Sequence, residues 1–471
     1  MTDDGSRPEV ARRLGAKSDD DGLIDIGDFI DAHPVGRFQI RLLLLCAGVL
    51  FLDGFDTQAI GYVAPDIARD WGLARGALGP VFSAGLLGLM IGALIFGPIA
   101  DRIGRRRIII FSVVAFGVGA LATMFAVDVP SLLAIRFLTG LGLGGAMPNA
   151  VALTSEFSPH RRRATMVMAM FCGFSVGAAL GGLLAAALIP AFGWRSVFLL
   201  GGAAPLALAL GLIRYLPESV RFMALTESPG GRIAALLAQI SPTSRFPVVA
   251  RFGAREVALA GLPVAHLFRD GRAWVTIAFW IVFFMSLLDL YLLSNWLPTV
   301  LHNLGASISV AAAISAMLQL GGVVGTFALG QFIDRFSYRA LALAYLLAAV
   351  AVVGIAFSGK SVALATIAIF CAGFCVVGGQ IGANALAAHY YPTAMRSTGV
   401  GWALGVGRIG SIVGPLVGGV MLSRDMSEQA LFLAAAAPML CAFLATLGLD
   451  RATRGSAYEA NAARLRTEPL D

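Results

Sequence analysis

Two aspartates, Asp53 and Asp56, stand in the middle of a mostly apolar run, Cys46-Ala-Gly-Val-Leu-Phe-Leu-Asp53-Gly-Phe-Asp56-Thr-Gln-Ala-Ile-Gly-Tyr62. The run is long enough to cross a bilayer as a helix. A carboxylate near its middle costs about 2.5–3.5 kcal/mol on insertion scales, so intramembrane acids default to function. At i and i+3 the two share one helical face. Such a pair lines an interior cavity or binds a proton or cation. Two carboxylates this close disfavour double ionisation, which suits one of them to carry a proton. The competing reading is a satisfied pair that only holds helices together.

Two arginines lie at comparable depth in other runs. Arg136 favours a charged carboxylate, so it either competes with a proton for Asp53 or Asp56 or forms a static pair with one of them. Arg408 sits mid-run with no acid within one helical turn. Its planar fork of donors matches a carboxylate bidentately. A ring-bearing acid needs that fork plus apolar or aromatic walls. Phe55, Phe82, Phe174, Tyr291, Trp296 and Trp402 are candidates, each equally suited to packing or lipid contact. Gln319, Gln380, Asn384 and Asn149 interrupt apolar helices and either read a ring hydroxyl or bond a neighbouring helix. Asp289 either pairs with and orients Arg408 or takes part in proton transfer.

The elements that position these residues follow from composition. Of 471 residues, 58% are hydrophobic and 13% charged, where soluble chains carry about 25% charge. Twelve apolar runs predict twelve membrane-spanning helices: Gln39–Tyr62, Leu78–Ala100, Ile108–Val127, Ser131–Thr154, Ala164–Ile189, Val197–Tyr215, Ala273–Leu297, Val310–Ile333, Leu341–Phe357, Val362–Ala387, Ser397–Met421 and Ala430–Leu449. The net charge of +7 is not a nucleic-acid signal, because its arginines cluster at run ends. Asp101-Arg-Ile-Gly-Arg-Arg-Arg107, His160-Arg-Arg-Arg163, Arg335, Arg339 and Arg396 all fall on one side. The opposite loops carry only Arg69, Arg75, Arg195, Lys360 and Arg424. The positive-inside rule puts the basic side and both termini in the cytoplasm.

Residues 1–37 are polar and acidic, unlike a cleavable signal peptide. They and the tail from 451 to 471 are expected to be partly disordered. Cys46, Cys172, Cys371, Cys375 and Cys441 lie within runs, without CxxC, and read as packing residues rather than disulfides or metal ligands. The five histidines show no metal-ligand spacing. No nucleotide loop or catalytic constellation is evident, so neither a cofactor nor an enzyme is expected.

One offset organises the chain. Asp56 and Pro65 recur 233 residues later as Asp289 and Pro298. Gly97-x-x-x-Asp101-Arg102 recurs at the same offset as Gly330-x-x-x-Asp334-Arg335, and Pro159-x-x-x-Arg163 as Pro392-x-x-x-Arg396. Three independent pairs at one spacing predict two homologous six-helix halves, 38–216 and 273–450. Their binding site lies near the midplane between them. A basic linker, 217–272, joins them with one or two short surface helices.

Gly97-Pro-Ile-Ala-Asp101-Arg102-Ile-Gly104-Arg105-Arg106-Arg107 and Arg136-Phe-Leu-Thr-Gly140-Leu-Gly142-Leu-Gly144 resemble signatures of the major facilitator superfamily. Within it, Asp53-Gly-Phe-Asp56-Thr57, the continuation through Met147-Pro148-Asn149, Asn295-Trp296-Leu297-Pro298 and Gly405-Val-Gly407-Arg408-Ile-Gly410 resemble the aromatic acid:proton symporters. The resemblance implies an all-α membrane protein of twelve transmembrane helices in two pseudo-symmetric bundles. It implies a monomer in the bacterial inner membrane that imports carboxylates of the 4-hydroxybenzoate, protocatechuate or benzoate type with protons, by alternating access. Asp53, Asp56, Arg136 and Asp289 would serve proton coupling. Arg408, Phe55, Tyr291, Asn295, Trp296, Gln319, Gln380 and Asn384 would serve the substrate. Asp101, Arg102, Arg105, Glu156, Arg163, Glu218, Arg221, Asp334, Arg335 and Arg396 would form ion pairs that hold the inner ends of the halves together. The chain departs from the pattern where Tyr338 stands in place of the first half's Arg105. Gly173-Phe-Ser-Val-Gly177 lacks the proline of an antiporter motif, which favours symport. Rival readings are an exporter or antiporter, a carrier of another metabolite, and a sensor without flux.

Overall fold

The computed structural model describes residues 23–226, 230–241, 251–253, 263–269, 272–359, 361–391 and 395–467. Pro392 and the side chains of Asp334 and Arg396 lie outside the described set, as do residues 1–22 and the side chains after Thr453. Twelve helices are long and apolar enough to cross a membrane. They are α1 (Arg37–Asp70), α2 (Gly79–Ile103), α3 (Arg105–Thr123), α4 (Val129–Glu156), α5 (Arg163–Phe192), α6 (Arg195–Tyr215), α7 (Ala273–Asn303), α8 (Ile308–Phe336), α9 (Tyr338–Ala356), α10 (Val362–Tyr390), α11 (Arg396–Ser423) and α12 (Glu428–Thr467). Every expected run is a helix. α1 and α7 overrun their apolar stretches, continuing through Pro65 and Pro298 to Asp70 and Asn303. α12 also runs on to Thr467 where a partly disordered tail is expected; that stretch is rich in Ala and Arg, good helix formers.

Lipid supplies no hydrophobic drive between helices, so close packing depends on small residues. The repeat governs where they fall. A side chain at Gly88 or Gly92 of α2 would strike the α4 backbone at Phe137 and Leu141. Their mates 233 residues on, Gly321 and Gly325 of α8, press on Phe370 and Phe374 of α10 in the same way. Gly177 of α5 lies on Phe51 of α1, and its mate Gly410 of α11 lies on Phe284 of α7. The two halves are therefore built to one plan.

The halves meet along α1–α7, α2–α11 and α5–α8. At the α1–α7 crossing, Gly61 lies against the backbone of Ser294 and Asn295. Gly61 and Ser294 are repeat mates, and each is the residue four before a helix-interior proline, whose ring cannot accommodate a normal hydrogen bond to that carbonyl. The halves thus cross where each first helix lacks the backbone hydrogen bond that its proline cannot donate. The end opposite the Arg-rich turns, here the far end, is sealed. Gly76 and Gly79 lie against Gly419, and Arg75 bonds Glu428 at 2.9 Å. Core packing divides accordingly. One apolar core joins the far-end parts of the first half to the second half. A separate core holds the basic-end part of the first half together with Ile24–Ile30, Val220, Met223, Ile233 and Leu237. The two halves are packed together at the far end and have separate cores at the basic end.

Around the basic end, Leu23–Asp25 (β1) pairs in parallel with Arg251–Gly253 (β2), a sheet that the sequence pattern does not signal. Short helices Ile26–Ala32, Val220–Leu225 and Gly230–Leu237 accompany it. The α2–α3 turn places Gly104 at φ 103°, and Glu218 fills the space a side chain would need. Its repeat mate at the α8–α9 turn is Ser337, held at φ 51° and ψ −129°. A non-glycine residue in that region is strained by about 1–3 kcal/mol. Ser337→Gly is expected to stabilise the protein by about 1 kcal/mol, read as a higher thermal midpoint in detergent. An unchanged or lower midpoint would show that the turn is relaxed.

Candidate functional site

α1 carries the acid pair, and its neighbours set the direction of each side chain. Glycines on α5 pull it against the face of α1 that includes Ala47, Phe51 and Gly54. Phe55 falls on this packed side, buried against Gly181 and Gly201, and is committed to packing in this conformation. Asp56 turns toward α4, where Arg136 Nη1 and Nη2 donate to its two carboxylate oxygens at 3.1 and 3.0 Å. Nη2 also donates to the Asp56 carbonyl at 3.2 Å, and the guanidinium lies 5.7 Å from the Phe198 ring centroid. Both side chains are buried. Charge-assisted bidentate pairs of this kind are the strong ones. Phe198 on α6 had no signal in the sequence beyond being one of many aromatics.

Asp53, one turn away and fully buried, is held differently. It accepts one hydrogen bond, from the Thr57 hydroxyl at 3.1 Å, and its second oxygen has no donor among the described residues. The charges that bear on it are those of Arg408 and Asp56. Arg408, half-buried on α11, reaches no carboxylate within ion-pair distance among the described residues. Its Nη1 donates to the Tyr291 hydroxyl at 3.3 Å, and Nη2 lies 3.7 Å from the Met147 sulfur on α4. Asp289, its other candidate partner, does not reach it. Asp289 is buried in the second half with neither oxygen bonded. The repeat explains why. The residue matching Arg136 is Ile369, also buried, so the second half keeps the acid and lacks the cation. The 233-residue offset held that signal.

The remaining candidates divide among three places. Trp296 belongs to the far-end seal. Its indole N–H donates to the Pro415 carbonyl at 2.9 Å, and its ring meets Phe82 edge-on at 5.1 Å. Asn295 donates to its own helix at Tyr291 O, and with Thr57, Leu86 and Arg136 lines a cavity of about 10 Å³, the size of about one water. That space holds no aromatic ring in this conformation. Gln319 bonds Ser294 at 3.3 Å. On α10, Gln380 and Asn384 are one turn apart; both amide atoms of Gln380 and the carbonyl oxygen of Asn384 lack partners. Asn149 donates to Gly145 O. Phe174 packs on Gly54, and exposed Trp402 stacks on Trp280.

The charged residues of the basic end form a cluster inside the first half. Arg105 pairs with Glu156 and reaches Asp101 at 3.6 Å. Glu156 also accepts from the Ser219 hydroxyl at 2.6 Å, and the charge of Arg221 acts on it. Glu218 accepts from the backbone of Arg106 and Ser219 at 3.1 and 2.9 Å, capping α3. Arg102 and Arg163 are exposed, and Arg335 lies over Phe336. Asp334 and Arg396, the second-half echoes, fall outside the described side chains.

A twelve-helix membrane protein in two repeated halves, with buried charges at mid-depth and one end sealed, has the build of a transporter. Comparison with known proteins gives the family. The profile of the Major Facilitator Superfamily matches residues 46–361 and 279–469, and the chain belongs to that superfamily. It is 43% identical over 429 residues to a gallate transporter of Pseudomonas putida, covering 91% of this chain and 95% of that one. It is 42% identical to a 4-hydroxybenzoate transporter of Pseudomonas aeruginosa, covering 90% and 95%. A 3-(3-hydroxy-phenyl)propionate transporter of Escherichia coli is 38% identical, covering 86% and 93%. Among solved structures, a xylose transporter from E. coli superposes with a TM-score of 0.67 at 15% identity, covering 86% of this chain and 98% of that one.

Removing one partner of a buried ion pair leaves an uncompensated charge, at a cost of about 3–5 kcal/mol. Arg136→Gln should therefore destabilise strongly, and adding Asp56→Asn should recover part of the loss. Chemical unfolding of the two single variants and the double variant measures this as a cycle. Simple additivity would mean that the pair does not act as a unit.

Proposed function

We propose that this transporter imports aromatic carboxylates across the bacterial cytoplasmic membrane together with protons. The observation that carries the reading is Arg408, an arginine at mid-depth, at the face between the halves, whose guanidinium meets a hydroxyl and a sulfur but no carboxylate. Its fork suits a carboxylate ligand. The names of the relatives, transporters of gallate, 4-hydroxybenzoate and a hydroxyphenylpropionate, supply the ring. Tyr291 stands beside Arg408. Gln380 and Asn384, with unpartnered amide atoms, are suited to a ring hydroxyl. Asp53, Asp56, Arg136 and Asp289 serve the proton.

The Arg-rich turns face the cytoplasm by the positive-inside rule, and both termini with them. The far end is then outside, and the described conformation is closed outside and separated inside. Import begins from the opposite conformation. A proton joins the acid pair, the anion docks on Arg408, and the loaded site loses much of the penalty that its charges impose in the membrane interior. The halves rock as rigid bodies about the α1–α7 crossing. In the outward-facing state, the cluster of Asp101, Arg105, Glu156, Glu218 and Arg221 meets Asp334, Arg335 and Arg396 of the second half. The empty carrier returns as a monomer.

Uptake of radiolabelled 4-hydroxybenzoate into vesicles holding the purified protein, under an inward proton gradient, tests the reading. Accumulation is expected to collapse with an uncoupler, to be competed by protocatechuate and not by glucose, and to be lost in Arg408→Gln. Accumulation that ignores the uncoupler would reject symport, and outward pumping of the acid would reverse the direction.

A further inference from the structure

On the reading of the protein as an aromatic-acid–proton symporter, we propose that Arg408 is the coupling residue. Its charge serves Asp53 across the gap between the halves in the empty carrier, and an arriving aromatic carboxylate takes Arg408 while Asp53 takes one proton.

The two acids of α1 are not equivalent. Asp56 is engaged by two charge-assisted bonds from Arg136, and both residues belong to the same half. Protonating Asp56 would remove the charge that strengthens both bonds and leave Arg136 uncompensated. Asp53 has a single hydroxyl donor and one free oxygen. The charges that reach it are Arg408 from α11 and Asp56 from its own helix. The elements packed on α1 add little else. α4 contributes Arg136, which is spent on Asp56, and Glu156 at its end; α7 contributes Tyr291, buried Asp289 and, at its end, His302; α2 and α8 carry charges only at their basic ends, Asp101, Arg102, Asp334 and Arg335. α5 and α6 have charged residues only at their ends, Arg163, Arg195 and Arg214. Asp53 therefore depends for its counter-charge on a residue of the opposite half.

Arg408 is equally dependent. Tyr291 and Met147 are neutral, so no carboxylate competes for its fork at contact distance. A monovalent aromatic anion in that fork neutralises the guanidinium and leaves Asp53 facing only Asp56, and the proton restores balance. The charge count closes. Arg408 and ionised Asp53 sum to zero, and Arg408 with one bound anion and a protonated Asp53 also sum to zero. An anion bound without the proton leaves one uncompensated negative charge at mid-membrane, a state too costly to carry across. The expected ratio is one proton per monovalent anion.

Calorimetric titration of the purified protein with 4-hydroxybenzoate at pH 8, in two buffers of different ionisation heat, reads the protons taken up on binding. The wild type is expected to take up about one proton per anion bound. Asp53→Asn, which mimics the protonated acid, should take up none, bind more tightly than the wild type at pH 8 and lose the pH dependence of its affinity. Arg408→Lys keeps the charge without the fork, so it should bind about tenfold more weakly while still taking up the proton. Binding by the wild type without proton uptake, or undiminished uptake in Asp53→Asn, would overturn the coupling and leave the substrate class intact. No binding of any aromatic acid by the folded wild type would instead remove the transport reading, and this proposal with it.

Discussion

A charge at the middle of a membrane needs a counter-charge or must be given up. The Asp56–Arg136 pair satisfies that condition inside the first half, and much of that half's geometry is arranged around it. Glycines bring α2 onto α4 and α5 onto α1 closely enough for the guanidinium to reach both carboxylate oxygens. The ring of Phe198 covers the guanidinium from α6. Three helices of one half, α1, α4 and α6, therefore meet at a single buried pair, with α2 and α5 packed onto them, and this favours a half that moves as a unit.

The second half has the same plan and a different electrostatic content. Asp289 matches Asp56, yet Ile369 stands where Arg136 would be, and Ser286 stands in place of Asp53. Among the described residues, the second half's cation at mid-depth is instead Arg408, on α11, at the face between the halves. Duplication supplied two scaffolds, and divergence placed an internal pair in one and, in the other, a cation with no carboxylate partner among the described residues. A symmetric pair of ion pairs would fix both halves and leave nothing to meet an anion between them. The asymmetry gives the interface its chemistry.

Much of this was legible before any coordinates. Charged residues in apolar runs stand out because they are costly, so Asp53, Asp56, Arg136, Asp289 and Arg408 were all singled out from the sequence. The repeat was equally plain, because the same glycine, acid and proline recur at one offset. What the sequence withheld was rotation. Phe55 and Trp296 read as walls for a ring, yet one packs onto glycines and the other closes the far end, because helix rotation is set by neighbours rather than by pattern. The overrun of α1 and α7 past Pro65 and Pro298 was hidden for a similar reason. Proline normally signals an end, yet both helices continue through it while packed against the opposite half. The β1–β2 pairing joins residues more than 220 apart, with three-residue strands too short to show a period.

Those two prolines bear on how the halves can move. Gly61 and Ser294 are repeat mates that touch each other, so the axis relating the halves passes through their contact. Contacts on such an axis map onto themselves and need not break when the halves rock. The seams on either side are different. Ser83 of α2 bonds the Ile412 carbonyl of α11 at 2.7 Å, while at the matching place Gly182 of α5 lies against Ala316 of α8. At this point one seam is tied by a hydroxyl and the other meets through a methyl group. Opening the far end costs a hydrogen bond, worth about 0.5–1.5 kcal/mol, together with the aromatic contact of Phe82 and Trp296, on the α2–α11 side. The α5–α8 seam is the more extensive of the two, so the seams differ in kind, one tied by a polar contact and the other by area. The crossing of α1 and α7, through which the axis passes, lies between them and suits the pivot of a rocking motion.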